Sequence, residues 1–366
     1  MGAMRELRLP DFPWDSIAAA RARAAAHPGG ICDLSVGTPV DPTPDLGRAA
    51  LAAAADAPGY PPVAGDPALR QAALDYLARR WGAVGLEPQA VAPVIGTKEL
   101  VGWLPTLLGL GPGDQVVVPA IAYPTYAVGA LMAGAEAVPA ASPDEVAGLD
   151  PALVWINSPS NPTGAVADLA ASRAWVDYAR AKGAVLAGDE CYGEFGWTAQ
   201  PVSLLHPTVC EGRSDGLLVV HSLSKRSNLA GYRAGFVAGD PRLVAALVAV
   251  RRHLGMMVPQ PVQAAMTVLL GDQAHVEAQR ARYAARRARL AAALEASGFR
   301  IDHSQAGLYL WATRGEPGRV SLDRLAELGL LVAPGDFYGP AGADHVRVAL
   351  TATDERVAAA AERLTA

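Results

Sequence analysis

Short apolar runs rich in valine, leucine and isoleucine alternate along this chain with Ala/Leu/Arg-rich segments of helical length. That alternation restricts the fold to an α/β protein with a largely parallel sheet, because parallel neighbours need a long crossover and the helical segments supply it. The expected strands are 91–95, 115–119, 153–156, 184–188, 217–221 and 235–238, and the expected helices are 69–81, 99–110, 168–182 and 241–253. After about Pro259 the texture changes to a long Ala/Arg-rich helix, 272–297, then short strands at 307–312 and 345–350 and a terminal helix. A large domain over residues 36–255 is therefore expected beside a smaller α+β domain made of residues 1–35 and 256–366.

Composition removes several functions. Only 18% of the 366 residues are charged, the net charge is -5, and no basic block tracks a phosphate backbone, so nucleic acid is not an expected partner. Cys32, Cys191 and Cys210 form no CxxC pair and no metal-ligand spacing with histidine, which points to a reducing compartment and to neither a disulfide framework nor a metal site. The stretch MGAMRELRLP lacks the apolar core of a signal peptide, and no apolar run reaches membrane-spanning length. A cytoplasmic protein without a membrane partner is expected.

The chemistry concentrates in HSLSKRSNLAGYRAGF, residues 221–236. It follows an apolar strand, so Ser222, Ser224 and Lys225 emerge at a strand's C-terminal end, where ligands bind in open α/β sheets. A lysine there can condense with an aldehyde, and the two hydroxyls with Arg233 can hold a phosphate. A lysine taken alone is more often a solvated surface residue; the surrounding cluster turns the balance. Gly96-Thr97-Lys98-Glu99 lies at a strand-to-helix junction, where backbone N–H groups attract anions. Asp189, at the end of another buried strand, is an acid costly to bury without a partner, and Glu190 beside it is the rival. In HVRVAL, residues 345–350, an alternating strand carries Arg347, suited to a carboxylate if it faces inward and to solvent if it does not.

These segments, together with Asn157-Ser158-Pro159-Ser160-Asn161-Pro162-Thr163-Gly164, resemble the signatures of the fold-type I, class I/II aminotransferases, in order across nearly the whole chain. The resemblance implies the pyridoxal phosphate-dependent transferase fold, with a mixed, mostly parallel seven-stranded sheet between helices. It also implies a Schiff base on Lys225, which then moves the substrate proton. Asp189 would pair with the pyridine nitrogen, and Asn161 and Tyr192 would bond the phenolic oxygen. Thr97, the Lys98 amide, Ser222 and Arg233 would hold the phosphate, and Tyr123 would stack on the ring. Tyr60 would reach the phosphate of the other subunit in a homodimer with shared sites. Gly37 and Arg347 would meet the substrate, and the family implies ping-pong exchange between an amino-acid donor and a keto-acid acceptor.

The segments 9–15, 34–41 and 96–99 are further similar to actinobacterial N-succinyl-L,L-diaminopimelate aminotransferases of lysine biosynthesis, which implies glutamate as donor and the Lys98 side chain as receiver of a distal acid. The alternatives are an aminotransferase for aspartate or another acidic or aromatic amino acid, a carbon–sulfur lyase on the same scaffold, and a non-catalytic cofactor-binding regulatory module. Lys225→Ala is expected to abolish the Schiff-base absorbance on addition of pyridoxal phosphate; a variant that keeps that band would remove Lys225 from the role.

Overall fold

The computed structural model describes residues 9–366; residues 1–8 of the expected N-terminal segment lie outside them. The large sheet contains β1 (Val91–Ile95), β2 (Gln115–Pro119), β3 (Glu136–Ala140), β4 (Leu153–Asn157), β5 (Val185–Asp189), β6 (Leu217–Ser222) and β7 (Ala234–Gly239). Their order is β1-β7-β6-β5-β4-β2-β3; β7 runs antiparallel to both neighbours and the other pairings are parallel. Every residue of β6 is buried, as an interior strand covered on both faces requires. The edge strand β3 is mostly half-exposed and contains Pro139, so its sequence carried no apolar run to announce it.

Side chains alternate between the two faces with the period of two that a strand imposes. Val117, Val154, Leu186 and Val219 pack against helices Pro67–Trp81 and Gln260–Gly271 through Leu69, Leu77, Met266 and Leu269. Val116, Trp155, Ala187 and Val220 pack on the opposite side against Thr97–Leu107 and Pro241–His253 through Leu100, Leu104, Val244 and Leu247. Each fully buried side chain of this kind contributes about 1.5–3 kcal/mol, so the two-faced core dominates the stability of this part. Asp66 and Asp240 cap their helices by accepting the N–H of Ala68 and Arg242, each with a proline at the first helical position. Helix Gln260–Gly271, beyond the break expected at residue 255, buries its apolar face under the large sheet.

A four-stranded antiparallel sheet follows, ordered Ala333–Pro334, Val346–Ala349, Tyr309–Thr313, Arg300–Asp302, with helix Ala274–Ala296 and helix Asp354–Thr365 packed together beside it. The N-terminal segment joins it: Cys32–Asp33 pairs in parallel with Leu330–Leu331, and Ala349 N donates to Leu34 O at 2.8 Å. Beyond that strand the segment is anchored by Asp41, whose carboxylate receives Arg286 Nη1 and Nη2 at 2.8 and 2.7 Å and Gln279 Nε2 at 2.7 Å. Asn228, three residues after Lys225, donates to Gln279 Oε1 at 3.0 Å and to Pro42 O at 3.1 Å. One carboxylate thus ties the segment to the long helix and, through Gln279, to the loop that follows Lys225. No helix among the described residues is long and apolar enough to cross a membrane.

Arg286 is 3% exposed, and Asp41 supplies both of its forked bonds, so Asp41→Ala strands a buried cation that keeps only the exposed Asp354. A loss of about 3 kcal/mol is expected in urea unfolding; a change within 0.5 kcal/mol of zero, the ordinary range for surface substitutions, would show that this pair is not a structural anchor.

Candidate functional site

The C-terminal ends of β4 and β5 stop at one level, Asn157 being paired with Asp189, and β6 runs two residues past Val220, the partner of Asp189, to Ser222. Beyond them lies a cavity of about 470 Å³ lined by Gly37, Thr97, Lys98, Tyr123, Asn161, Asp189, Tyr192, Ser222, Lys225, Arg233 and Arg347. These are the residues expected from the sequence, with one exception. Tyr60 is 96% exposed and does not line the pocket of its own chain.

Lys225 sits on the short helix Leu223–Arg226, whose N-cap is Ser222; Ser222 Oγ accepts from Ser224 N at 3.0 Å. The Lys225 ammonium donates to Gly37 O. Burial, reinforced by the charges of Arg347 and Arg233, pushes its pKa down to about 8. At the other end, Gly96 precedes helix Thr97–Leu107 with φ +73°, and a Cβ there would lie 2.3 Å from Arg233 Nη2. Gly96 is therefore required both for its backbone angle and for the approach of the guanidinium to the helix N-terminus.

Asp189 and Glu190 face opposite ways. Asp189 lines the cavity; its Oδ2 accepts Tyr126 Oη at 2.7 Å and its Oδ1 accepts Cys191 N at 3.2 Å. Glu190 points behind the sheet, where its Oε1 accepts Ser203 Oγ (3.0 Å) and Leu204 N (2.8 Å). His221 Nε2 lies 3.2 Å from Glu190 Oε2, in contact but out of line for a hydrogen bond. Tyr126 stays protonated: burial and the neighbouring Asp189 charge hold its phenol well above the usual range, so it is the donor.

Arg347 is 2% exposed rather than solvated at an edge. Its Nη1 donates to Asn161 Oδ1 at 2.8 Å and its Nη2 to Ser35 O at 2.6 Å, and the guanidinium lies 4.0 Å from the Tyr309 ring centroid. The Tyr192 hydroxyl meets Tyr309 Oη at 3.0 Å, a partner the sequence did not suggest for it. Lys98 is exposed at the mouth, with its ammonium 5.4 Å from the Tyr123 ring and 5.9 Å from the Phe12 ring.

Sequence reasoning missed Tyr126, Tyr309, Asn157 and Trp14, which also line the cavity. Tyr126 had no local signal: Tyr123 precedes the helix Thr125–Ala133, so the spacing of three between the two tyrosines is not that of one helical face. Tyr309 had one in the alternation of its strand: Trp311 is paired with Arg347, which puts Tyr309 on the same face, on the diagonal two residues away. Asn157 gave none. Its side chain folds back to donate to Pro159 O and Asp189 O and to accept Asn161 N at 2.7 Å, which shapes the loop carrying Asn161.

The residues fit the group the resemblance implies. The cup of Gly96, Thr97, Ser222 and Arg233, which a single Cβ would fill, gathers donors suited to a phosphate. An amine and a carboxylate line the same cavity, as an aldehyde and a ring nitrogen need.

Comparison with known proteins gives the same direction. The profile of the family described as aminotransferase class I and II matches residues 30–364. The chain is 62% identical to a protein of Mycobacterium tuberculosis described as a probable aminotransferase, over 98% of this chain and 85% of that one. It is 59% identical to the 4-dedimethylamino-4-oxo-anhydrotetracycline transaminase of Streptomyces rimosus, over 99% of this chain and all of that one. An LL-diaminopimelate aminotransferase of Dehalococcoides mccartyi is 33% identical over 95% and 94%. Among solved structures, an aspartate aminotransferase double mutant of Thermus thermophilus superposes with a TM-score of 0.87 at 25% identity, over 99% of each chain.

The depressed lysine gives a pH test. Its amine becomes neutral, and able to attack an aldehyde, as pH rises through about 8. Capture of pyridoxal by the cofactor-free protein, followed by absorbance, is expected to accelerate up to about pH 8 and level off above it. A rate still climbing at pH 10 would show an ordinary, solvated lysine.

Proposed function

The chain belongs to the class I and II aminotransferases, enzymes that depend on pyridoxal phosphate, and from that premise we propose that it moves the amino group of glutamate to a keto acid bearing a distal acid, N-succinyl-2-amino-6-oxopimelate being the acceptor the sequence resemblance favours. The observation that carries the reading is Arg347, a buried guanidinium opening onto the cavity that holds Lys225, with the Lys98 ammonium at the mouth. One cation suits the α-carboxylate shared by donor and acceptor, and the other suits their distal acids.

In this reading Lys225 carries the cofactor and its Nζ, once free, takes the proton from the substrate Cα and returns one. Pyridoxal phosphate, when bound, supplies an aldehyde carbon and a ring that accepts electrons. Asp189 partners the ring nitrogen, and the bonds from Tyr126 and Cys191 N hold that carboxylate in orientation. Thr97, the Lys98 N–H, Ser222 and Arg233 receive the phosphate, Tyr123 covers the ring, and Asn161 and Tyr192 donate to the phenolic oxygen. Gly37 presents its backbone to the substrate. In a homodimer the exposed Tyr60 completes the phosphate site of the second subunit.

A second reading rests on the aromatic mouth. Trp14 and Tyr123 line the cavity; the exposed Phe12 lies 5.4 Å from the Trp14 ring, and the buried Phe337 backs that ring at 5.2 Å. Such a wall suits a flat polycyclic ketone, the kind of acceptor named for the Streptomyces rimosus relative.

A half-reaction separates the two. Glutamate is expected to convert the bound cofactor to its amino form, read by absorbance, and the keto dicarboxylic acceptor to restore it. Restoration only by a polycyclic ketone would establish the second reading, and no conversion by glutamate would overturn the donor assignment. Lys98→Ala is expected to raise KM for both acidic substrates at least fivefold with kcat little changed; unchanged KM values would remove Lys98 from substrate binding.

A further inference from the structure

The cup formed by Gly96, Thr97, Ser222 and Arg233 has a back wall supplied by two residues that do not line the cavity. Glu99, in the first turn of helix Thr97–Leu107, folds its carboxylate back over the turn that starts the helix: Oε2 accepts Ile95 N at 3.3 Å, and Oε1 accepts Arg251 Nη1 at 2.8 Å. The N-cap is glycine and has no side chain to offer, and its own N–H goes to Val94 O, so Glu99 does the fastening from inside the helix by accepting the N–H of the residue before the cap. Arg251 lies on helix Pro241–His253 and is 1% exposed; among the described residues its Nε and Nη2 have no partner, so Glu99 is its anchor.

The charges matter as much as the geometry. A carboxylate in a first helical turn competes with any other anion at that N-terminus. Pairing with Arg251 cancels that charge and leaves the helix end able to attract a phosphate. We propose that Glu99 and Arg251 are positioning residues for the cofactor phosphate: together they hold the Ile95-Gly96-Thr97 turn against Arg233 and neutralise the anion that does the holding. The inference rests on the reading that this cup receives the phosphate.

The test compares pyridoxal phosphate with pyridoxal, which lacks the phosphate, by absorbance titration of the cofactor-free protein. In Glu99→Gln the single remaining carbonyl oxygen can accept from Ile95 or from Arg251 but does not serve both as the carboxylate did. Affinity for pyridoxal phosphate is expected to fall at least tenfold, while that for pyridoxal stays within twofold. Should the single variant fail to fold, Glu99→Met combined with Arg251→Met, which removes the bond to Ile95 N as well and leaves no unpaired buried charge, is expected to show the same selective loss. Equal losses for both ligands, or no loss for either, would overturn the inference. Arg233→Met checks the underlying reading: a selective loss there without one in the Glu99 variants defeats this inference alone, whereas no selective loss in Arg233→Met defeats the phosphate assignment itself.

Discussion

The parallel register of β4, β5 and β6 governs the whole site. Because Asn157 lies level with Asp189, and Asp189 with Val220, the side chains that leave these strands converge beyond one edge of the sheet. A slip of one residue in a strand turns every side chain to the opposite face. At the end of β5 such a slip would exchange Asp189 for Glu190, an acid now used to fasten Ser203 and Leu204 behind the sheet. The apolar alternation of Leu186, Ala187, Val219 and Val220 between two packed faces is what forbids it. The core therefore selects the acid that faces the ligand.

The cavity also has an electrostatic character opposite to that of the chain. Four cations, Lys98, Lys225, Arg233 and Arg347, line it against one acid, Asp189, in a protein whose net charge is -5. A concave cationic site on an acidic body concentrates small anions at its mouth while the remaining surface repels them. Burial does most to lower the basicity of Lys225, and the two guanidinium groups add to it, since a neutral amine is their cheaper neighbour. The cations that attract a ligand thus also contribute to the reactivity of the amine.

Much of this arrangement is legible in the sequence, and the parts that are not have physical reasons for being hidden. Interior strands such as 153–156 and 217–220 show as uninterrupted apolar runs because both faces are covered. The edge strand Glu136–Ala140 and helix Thr125–Ala133 do not, the first being half-exposed and the second apolar nearly all round. Lys225, Asp189, Asn161 and Arg347, which line the cavity, sit in short motifs with characteristic neighbours and could be singled out. Residues that act by holding another residue have no such signature. Tyr126 reaches Asp189 across 63 positions and Arg251 reaches Glu99 across 152, distances in sequence that no local pattern spans.

The N-terminal segment adds one further consequence. Ser35 O already takes a bond from Arg347 and Gly37 O already takes one from Lys225, while Asp41, a few residues on, is clamped by Arg286 and Gln279. Ser35 O and Gly37 O therefore stand beside two of the cavity's cations, and their positions are set by an ion pair that lies outside the cavity. The wall of the cavity on this side is backbone held from a distance, so a change at Arg286, far from the opening, alters the shape that a ligand meets.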